Sequence, residues 1–157
     1  MDESKKYEKA LNVYNVLLAT LDDMKWTYEK NDKELTVTYT VTGEDIPMTF
    51  YMIVDPGLQA VRCFSFLPVT FPEDRRVDGV IASCAAGCGL YEGKFFCSLQ
   101  DGRIVFNSAS SFMGCEVNGH WFAAMMGLAH QMVDEQNDRF LMLSKGMITL
   151  QDFMTKK

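Results

Sequence analysis

The stretch whose reading decides the fold is residues 34–55, ELTVTYTVT-GED-IPMTFYMIVD. In its first half Leu35, Val37, Tyr39 and Val41 alternate with Thr36, Thr38, Thr40 and Thr42. In its second half Ile46, Met48, Phe50, Met52 and Val54 alternate with Pro47, Thr49, Tyr51 and Ile53. A period of two sends successive side chains to opposite faces of a strand, so one set is dry and the other is not. The intervening Gly43-Glu44-Asp45 is a turn, and strands joined so briefly run antiparallel. The threonine face suits a strand yet is polar, and is expected to meet water.

Working outward, residues 4–21 repeat Tyr7, Leu11, Tyr14, Leu18 and Leu21 at steps of three and four, which is one helix face. Ala10, Val13 and Leu17 widen it. Residues 26–30 read as a short strand, ended by Asn31-Asp32. After Asp55-Pro56-Gly57 comes a strand over 58–67. Thr70-Phe-Pro-Glu73 has the spacing of a capping box, which predicts a helix over 72–90 with Val77, Ile81, Cys84, Cys88 and Tyr91 on one face. Gly79, Gly87 and Gly89 weaken that helix and imply a close-packed neighbour. Strands at 94–99 and 103–108 flank Gln100-Asp101-Gly102, a hairpin signal. Residues 109–116 read as a loop. From Val117 a long helix carries Trp121, Phe122, Met125, Ala129, Met132, Val133, Phe140 and Leu143. Gly146 ends it, and 149–152 start a last short turn.

The order α-β-β-β-β-α-β-β-α predicts one α+β domain over residues 1–157, with an antiparallel sheet covered on one face by the first and last helices. Leu11, Leu18 and Phe122 are expected to keep Leu35, Tyr39, Met48 and Phe50 dry. The second helix is expected near an edge of the sheet.

Composition bounds the function. The chain has 157 residues, 48 % hydrophobic and 23 % charged, which is ordinary for a folded domain. A net charge of -6 opposes phosphate backbones, so no nucleic-acid partner is expected. The polar N-terminal stretch does not read as a signal peptide, and no apolar run approaches about 18 residues, so no membrane partner is expected. Five cysteines (Cys63, Cys84, Cys88, Cys97 and Cys115) are an odd number and read as reduced thiols in a cytoplasm.

Several residues could carry chemistry. Cys84 and Cys88 share a helix face, with Cys115 and His120 as further zinc ligands in type, but the spacing fits no zinc pattern. Both cysteines continue the stripe of Val77 and Ile81, and the core reading is preferred. A Cys115–His120 nucleophilic pair is the weaker alternative. His120 and His130 lie about 15 Å apart along one helix, too far to share a metal. Gly87, Gly89 and Gly93 close a helix before a strand, the wrong orientation for a phosphate loop. Asp134, Glu135 and Asp138 read as a solvated helix face. Eleven methionines are many for this length. Met125 and Met132 are expected in the core, whereas Met126, about 100° around the helix, is expected outside it. No catalytic, cofactor-binding or metal-binding residue is assigned, and no enzyme is expected.

The order of a proline-started helix (PEDRRVDGVIASCAAG), a glycine before a strand (EGKFFCSL), an Asp-Gly turn (QDGRIVF) and a long last helix resembles the YbjN-like bacterial family. With the first helix and the preceding strands included, the resemblance covers nearly the whole chain. It implies a fold like that of type III secretion chaperones, which usually dimerise and hold extended segments of partner proteins. YbjN-like proteins themselves are described as candidate sensory-transduction regulators with no agreed biochemical activity. Members often carry Asn and larger aliphatic residues in the second helix, where this chain has Ser83-Cys84-Ala85-Ala86-Gly87-Cys88. The expectation is a protein-binding, chaperone-like regulatory module, with Val77, Ile81, Cys84 and Cys88 as a dimer or helix-packing face. The alternatives are a small-ligand sensor with a pocket between sheet and helices, and a thiol- or metal-dependent hydrolase using Cys84, Cys88, Cys115 or His120.

Overall fold

The computed structural model describes residues 2–90 and 92–155. Its elements are α1 (Glu3–Asp23), β1 (Tyr28–Asn31), β2 (Thr36–Thr42), β3 (Pro47–Asp55), β4 (Ala60–Thr70), α2 (Arg76–Gly87), β5 (Lys94–Cys97), β6 (Arg103–Ser111), α3 (Gly119–Ser144) and α4 (Leu150–Thr155). A 3₁₀ turn, Glu73–Arg75, leads into α2. The strands form one sheet in the order β1-β2-β3-β4-β6-β5, every neighbouring pair antiparallel.

The register explains the layering. Across the strands Tyr39 pairs with Phe50, Phe50 with Ser65, Ser65 with Phe106, and Phe106 with Phe95. All five are buried. Against this face α1 packs Ala10, Val13, Tyr14, Leu17 and Leu21, and α3 packs Phe122, Met125, Ala129, Val133, Phe140 and Leu143. The α+β class, the antiparallel sheet and the helices on one face are as expected. Phe153 of α4 closes one end of the core, its ring 5.0 Å from that of Phe140.

Several local expectations are corrected. Leu11 is 37 % exposed and Tyr7 more so, so the buried side of α1 is the Ala10–Tyr14–Leu17–Leu21 stripe, and Leu11 shields none of the sheet. The apolar arc of α1 is wider than the strip its neighbours cover, and periodicity cannot say which part of a wide arc is used. Leu35 is buried but belongs to the turn before β2, with a left-handed φ of 53°. Trp26 precedes β1 rather than lying in it. Thr70 does not cap α2. It pairs with Arg103 at the end of β4; the 3₁₀ turn opens after Pro72 and α2 after Arg75, neither with a side-chain cap. The strand β4 is longer than expected, running past Pro68 through a register shift between Phe66 and Thr70; proline brings no N–H to the ladder, so an irregularity there is its natural place. Residues 109–111, expected in a loop, extend β6 against β4. Met126 is 1 % exposed and is core, not surface. Tyr91, expected on the second helix, lies outside the described residues.

Candidate functional site

The helix α2 inverts the expected burial of its cysteines. Its buried residues are Gly79, Ala82, Ser83 and Ala86. A Cβ on Gly79 would meet Cys97 Sγ at 2.8 Å and the Phe71 ring at 3.0 Å, so only the smallest side chains fit towards β5. The larger Val77 (64 % exposed), Ile81, Cys84 and Cys88 are therefore turned to the surface. The reading of Cys84 and Cys88 as core residues is overturned; the glycine-and-alanine side won because the space there is narrow. Of the other cysteines, Cys63 is buried, Cys97 half-buried and Cys115 exposed. Burial pushes the Cys63 thiol up to about 12.

The remaining candidates disperse. Cys115 lies in the loop before α3 with its thiol towards the Met113 carbonyl at 3.7 Å. His120 is exposed in the first turn of α3. Among the described residues, no three His, Cys, Asp or Glu side chains are grouped to hold a metal ion. Gly89 has a left-handed φ of 90° just past the end of α2, and Gly93 leaves room for the Phe106 ring, 2.7 Å from where its Cβ would be. The acidic trio divides its tasks. Asp134 accepts from the Glu44 N–H at 3.1 Å and 3.3 Å through its two oxygens. Glu135 accepts from Gln131 at 2.8 Å, and Asp138 from the Arg139 N–H at 2.7 Å. Asp134 thus clamps the β2–β3 turn onto α3, and a Cβ on Gly43 would fall 1.9 Å from its Oδ1.

Two surfaces emerge from the packing: a cleft between sheet and helices, the place expected for the pocket of a ligand sensor, and the outer face of the sheet, expected to be half-apolar, whose rings the sequence reading did not assemble. The first is a cleft of about 630 Å³ between α3 and the β1–β2 end of the sheet, lined among others by Lys25, Trp26, Thr40, Met48, His130 and Asp134. Trp26 and His130 in its wall join the buried Tyr39 and Phe50 in an aromatic box. The His130 Nε2 and Tyr39 hydroxyl are 3.0 Å apart, and the His130 ring lies 4.7 Å from Phe50 and 5.4 Å from Trp26. Burial pushes the His130 imidazole down to about 4 and the Tyr39 phenol well above its ordinary value. Both are neutral near pH 7. Trp26 reaches the box because α1 ends in a Schellman turn. The Lys25 N–H donates to Asp22 O at 3.0 Å, and the Trp26 N–H to Leu21 O at 3.1 Å. Lys25 takes the left-handed position there, with a φ of 58°.

The second surface is the opposite face of the sheet. There Thr38 pairs with Tyr51, Tyr51 with Phe64, Phe64 with Asn107 and Asn107 with Lys94. In a parallel row Phe66 pairs with Val105, and Val105 with Phe96. Phe66 is 47 % exposed, Phe96 40 % and Tyr51 39 %. The Tyr51 and Phe66 rings meet edge to face at 5.7 Å. Guanidinium groups lie over two of the rings, Arg62 at 4.9 Å from Phe64 and Arg103 at 5.7 Å from Phe66. The signal was in the sequence, since Phe64 and Phe66 alternate with buried Cys63 and Ser65. Only the register across β3, β4, β6 and β5 gathers the rings into one patch.

No family model and no curated protein matches the sequence. Among solved structures the chain is similar to that of YbjN from E. coli, described as a "putative transcription regulator". The two align with a TM-score of 0.59 and 14 % identical residues, over 80 % of this chain and 91 % of that one. The chain has the YbjN fold. At that identity the likeness is one of architecture, shared by the six-stranded antiparallel sheet and the helices stacked on one side of it.

Proposed function

We propose that this chain is a non-enzymatic regulatory module that acts by binding another protein, in the manner of a chaperone. The observation that carries the reading is the aromatic face of β3, β4, β6 and β5, which no helix among the described residues covers. Isolated exposed apolar residues are ordinary on a protein surface, but a contiguous set of rings marks an interaction surface. The fold shared with YbjN agrees with a regulatory role. Five free cysteines suit the reducing cytoplasm of a bacterium. Val77, Ile81, Cys84 and Cys88, all outward on α2, form a second apolar strip suited to a homodimer contact; Ile81→Glu then lowers the solution mass to that of a monomer.

Affinity capture from native lysate tests the main reading. Wild-type protein is expected to retain a protein that the Phe66→Ser/Phe96→Ser variant does not. Identical recoveries, or none, would overturn it. A second reading is favoured by the cleft: a small-ligand sensor, in which a metabolite seated against Trp26 and His130 raises the melting temperature of the wild type but not of Trp26→Ala.

A further inference from the structure

The aromatic part of the outer sheet face is richer in cations than the molecule as a whole. The chain as a whole carries -6. On β3, β4, β6 and β5, the strands that carry the rings, the charged side chains that alternate to this face are three cations, Arg62, Lys94 and Arg103, against one carboxylate, Asp55, which accepts from the Leu58 N–H at 2.9 Å. Only Arg103 has an ion-pair partner, Asp101 at 2.6 Å. Arg62 and Lys94 have none among the described residues. Arg62 lies at one end of the apolar patch and Arg103 at the other, with Lys94 on the β5 side.

The dimensions choose the shape of the occupant. From Tyr51 on β3 to Phe96 on β5 the patch crosses three strand gaps, about 14 Å in all. One added extended strand would cover about 5 Å of that. An α-helix with its side chains is about 10–12 Å across and covers most of it. The other face of this sheet is already covered by helices, α1 and α3, and a sheet with two apolar faces is completed by a helical layer on each side. Resting on the protein-binding reading above, the geometry points to an amphipathic helix of a partner protein as the occupant, its apolar stripe on Tyr51, Phe64, Phe66 and Phe96, and its flanking carboxylates on Arg62, Arg103 and Lys94.

The test uses the full chain and two designed peptides of about 18 residues, long enough for five helical turns. Both carry the same leucine stripe, one flanked by glutamates and the other by lysines. Fluorescence anisotropy is expected to show the glutamate peptide binding at least about tenfold more tightly than the lysine peptide, with affinity falling as salt rises. Arg62→Glu/Arg103→Glu is expected to reverse that order, and Phe66→Ser/Phe96→Ser to abolish binding of both. All four positions are at the surface, and circular dichroism verifies that each variant is folded. Equal affinity for the two peptides, or binding that neither variant changes, would overturn the acidic helix. So would an oligouridylate that binds more tightly than the glutamate peptide and is lost in the same variants, since that assigns the face to single-stranded RNA through base stacking. If the charge preference is absent while lysate capture still depends on Phe66 and Phe96, protein binding survives and the acidic helix does not. If capture fails as well, both readings fall.

Discussion

Phe50 and Tyr51 are neighbours on β3 and live in different worlds. Phe50 is wholly buried, with the Tyr39 and His130 rings within 5.7 Å and 4.7 Å. Tyr51 is 39 % exposed and leans on Phe66. Both faces of the sheet are rich in aromatic residues, yet only one has helices over it. Apolar alternation therefore marks where a strand can be covered, not which face the chain itself covers. One face holds the fold together, while the other keeps its rings at the surface.

The sharpest way to break this contrast is a charge on each face. Phe50→Asp places an unpaired carboxylate in the core and is expected to cost more than about 4 kcal/mol, leaving the chain unfolded by circular dichroism. Tyr51→Asp on the other face is expected to stay within about 1 kcal/mol of wild type in urea titration. If the two variants behave alike, the assignment of the faces is wrong.

Truncation is a gentler form of the same comparison. Phe106 is fully buried, and its ring lies 5.3 Å from that of Phe95. Phe106→Ala is expected to lose about 3–5 kcal/mol. Phe66→Ala, on the open face, is expected to lose less than about 1 kcal/mol.

Acid probes the boundary of the buried face at His130. Its folded-state pKa, about 4, lies below the ordinary value of 6.5, so the unfolded chain binds the proton more readily. The contribution is fully present above pH 6.5, declines as pH falls from there, and is lost once pH drops below about 4. The direction holds although Tyr39 bonds the ring and Lys25 and Asp134 line the same cleft. The loss is expected to reach about 2 kcal/mol, with partial contact of the ring with water allowed for. An NMR titration of the His130 imidazole with a midpoint near 6.5 would contradict it.

The smallest effects are expected at the cysteines, which sharpen the contrast chemically. Cys84→Ser and Cys88→Ser should change stability by less than about 0.5 kcal/mol, as surface substitutions do. In the folded Ile81→Glu monomer both thiols should react with a water-soluble maleimide. Cys63, between the Met52 and Ser108 positions in the sheet, should react only after unfolding.

Much of this arrangement is legible in the order of residues. The alternation in 34–55 placed β2 and β3, with Val37, Tyr39, Met48, Phe50, Met52 and Val54 inward, as the structure has them. Asp101-Gly102 placed the β5–β6 hairpin. Gly102 has a left-handed φ of 75°, and a Cβ on it would meet the Phe71 carbonyl oxygen at 2.1 Å. These features are local, set by side-chain direction and turn chemistry within a few residues.

What could not be read was every choice among equivalent apolar surfaces. On α2 the stripe of Val77, Ile81, Cys84 and Cys88 looked like the core side, yet the small residues opposite were buried because β5 and Phe71 leave so little room. On α3 Met126 is in the core because α1 and α2 pack beside that helix as well as the sheet, so more than one stripe of it is covered. Asp134 gained its partner, and His130 its aromatic box, from residues about 90 positions away in the chain. The sequence by itself determined the elements, their order and the inward residues of the central strands, because periodicity and turns act over short range. Only the tertiary structure decided which helix faces are used, which rings gather on the open side and where charge is left unpaired, because those depend on contacts between segments that no local pattern encodes.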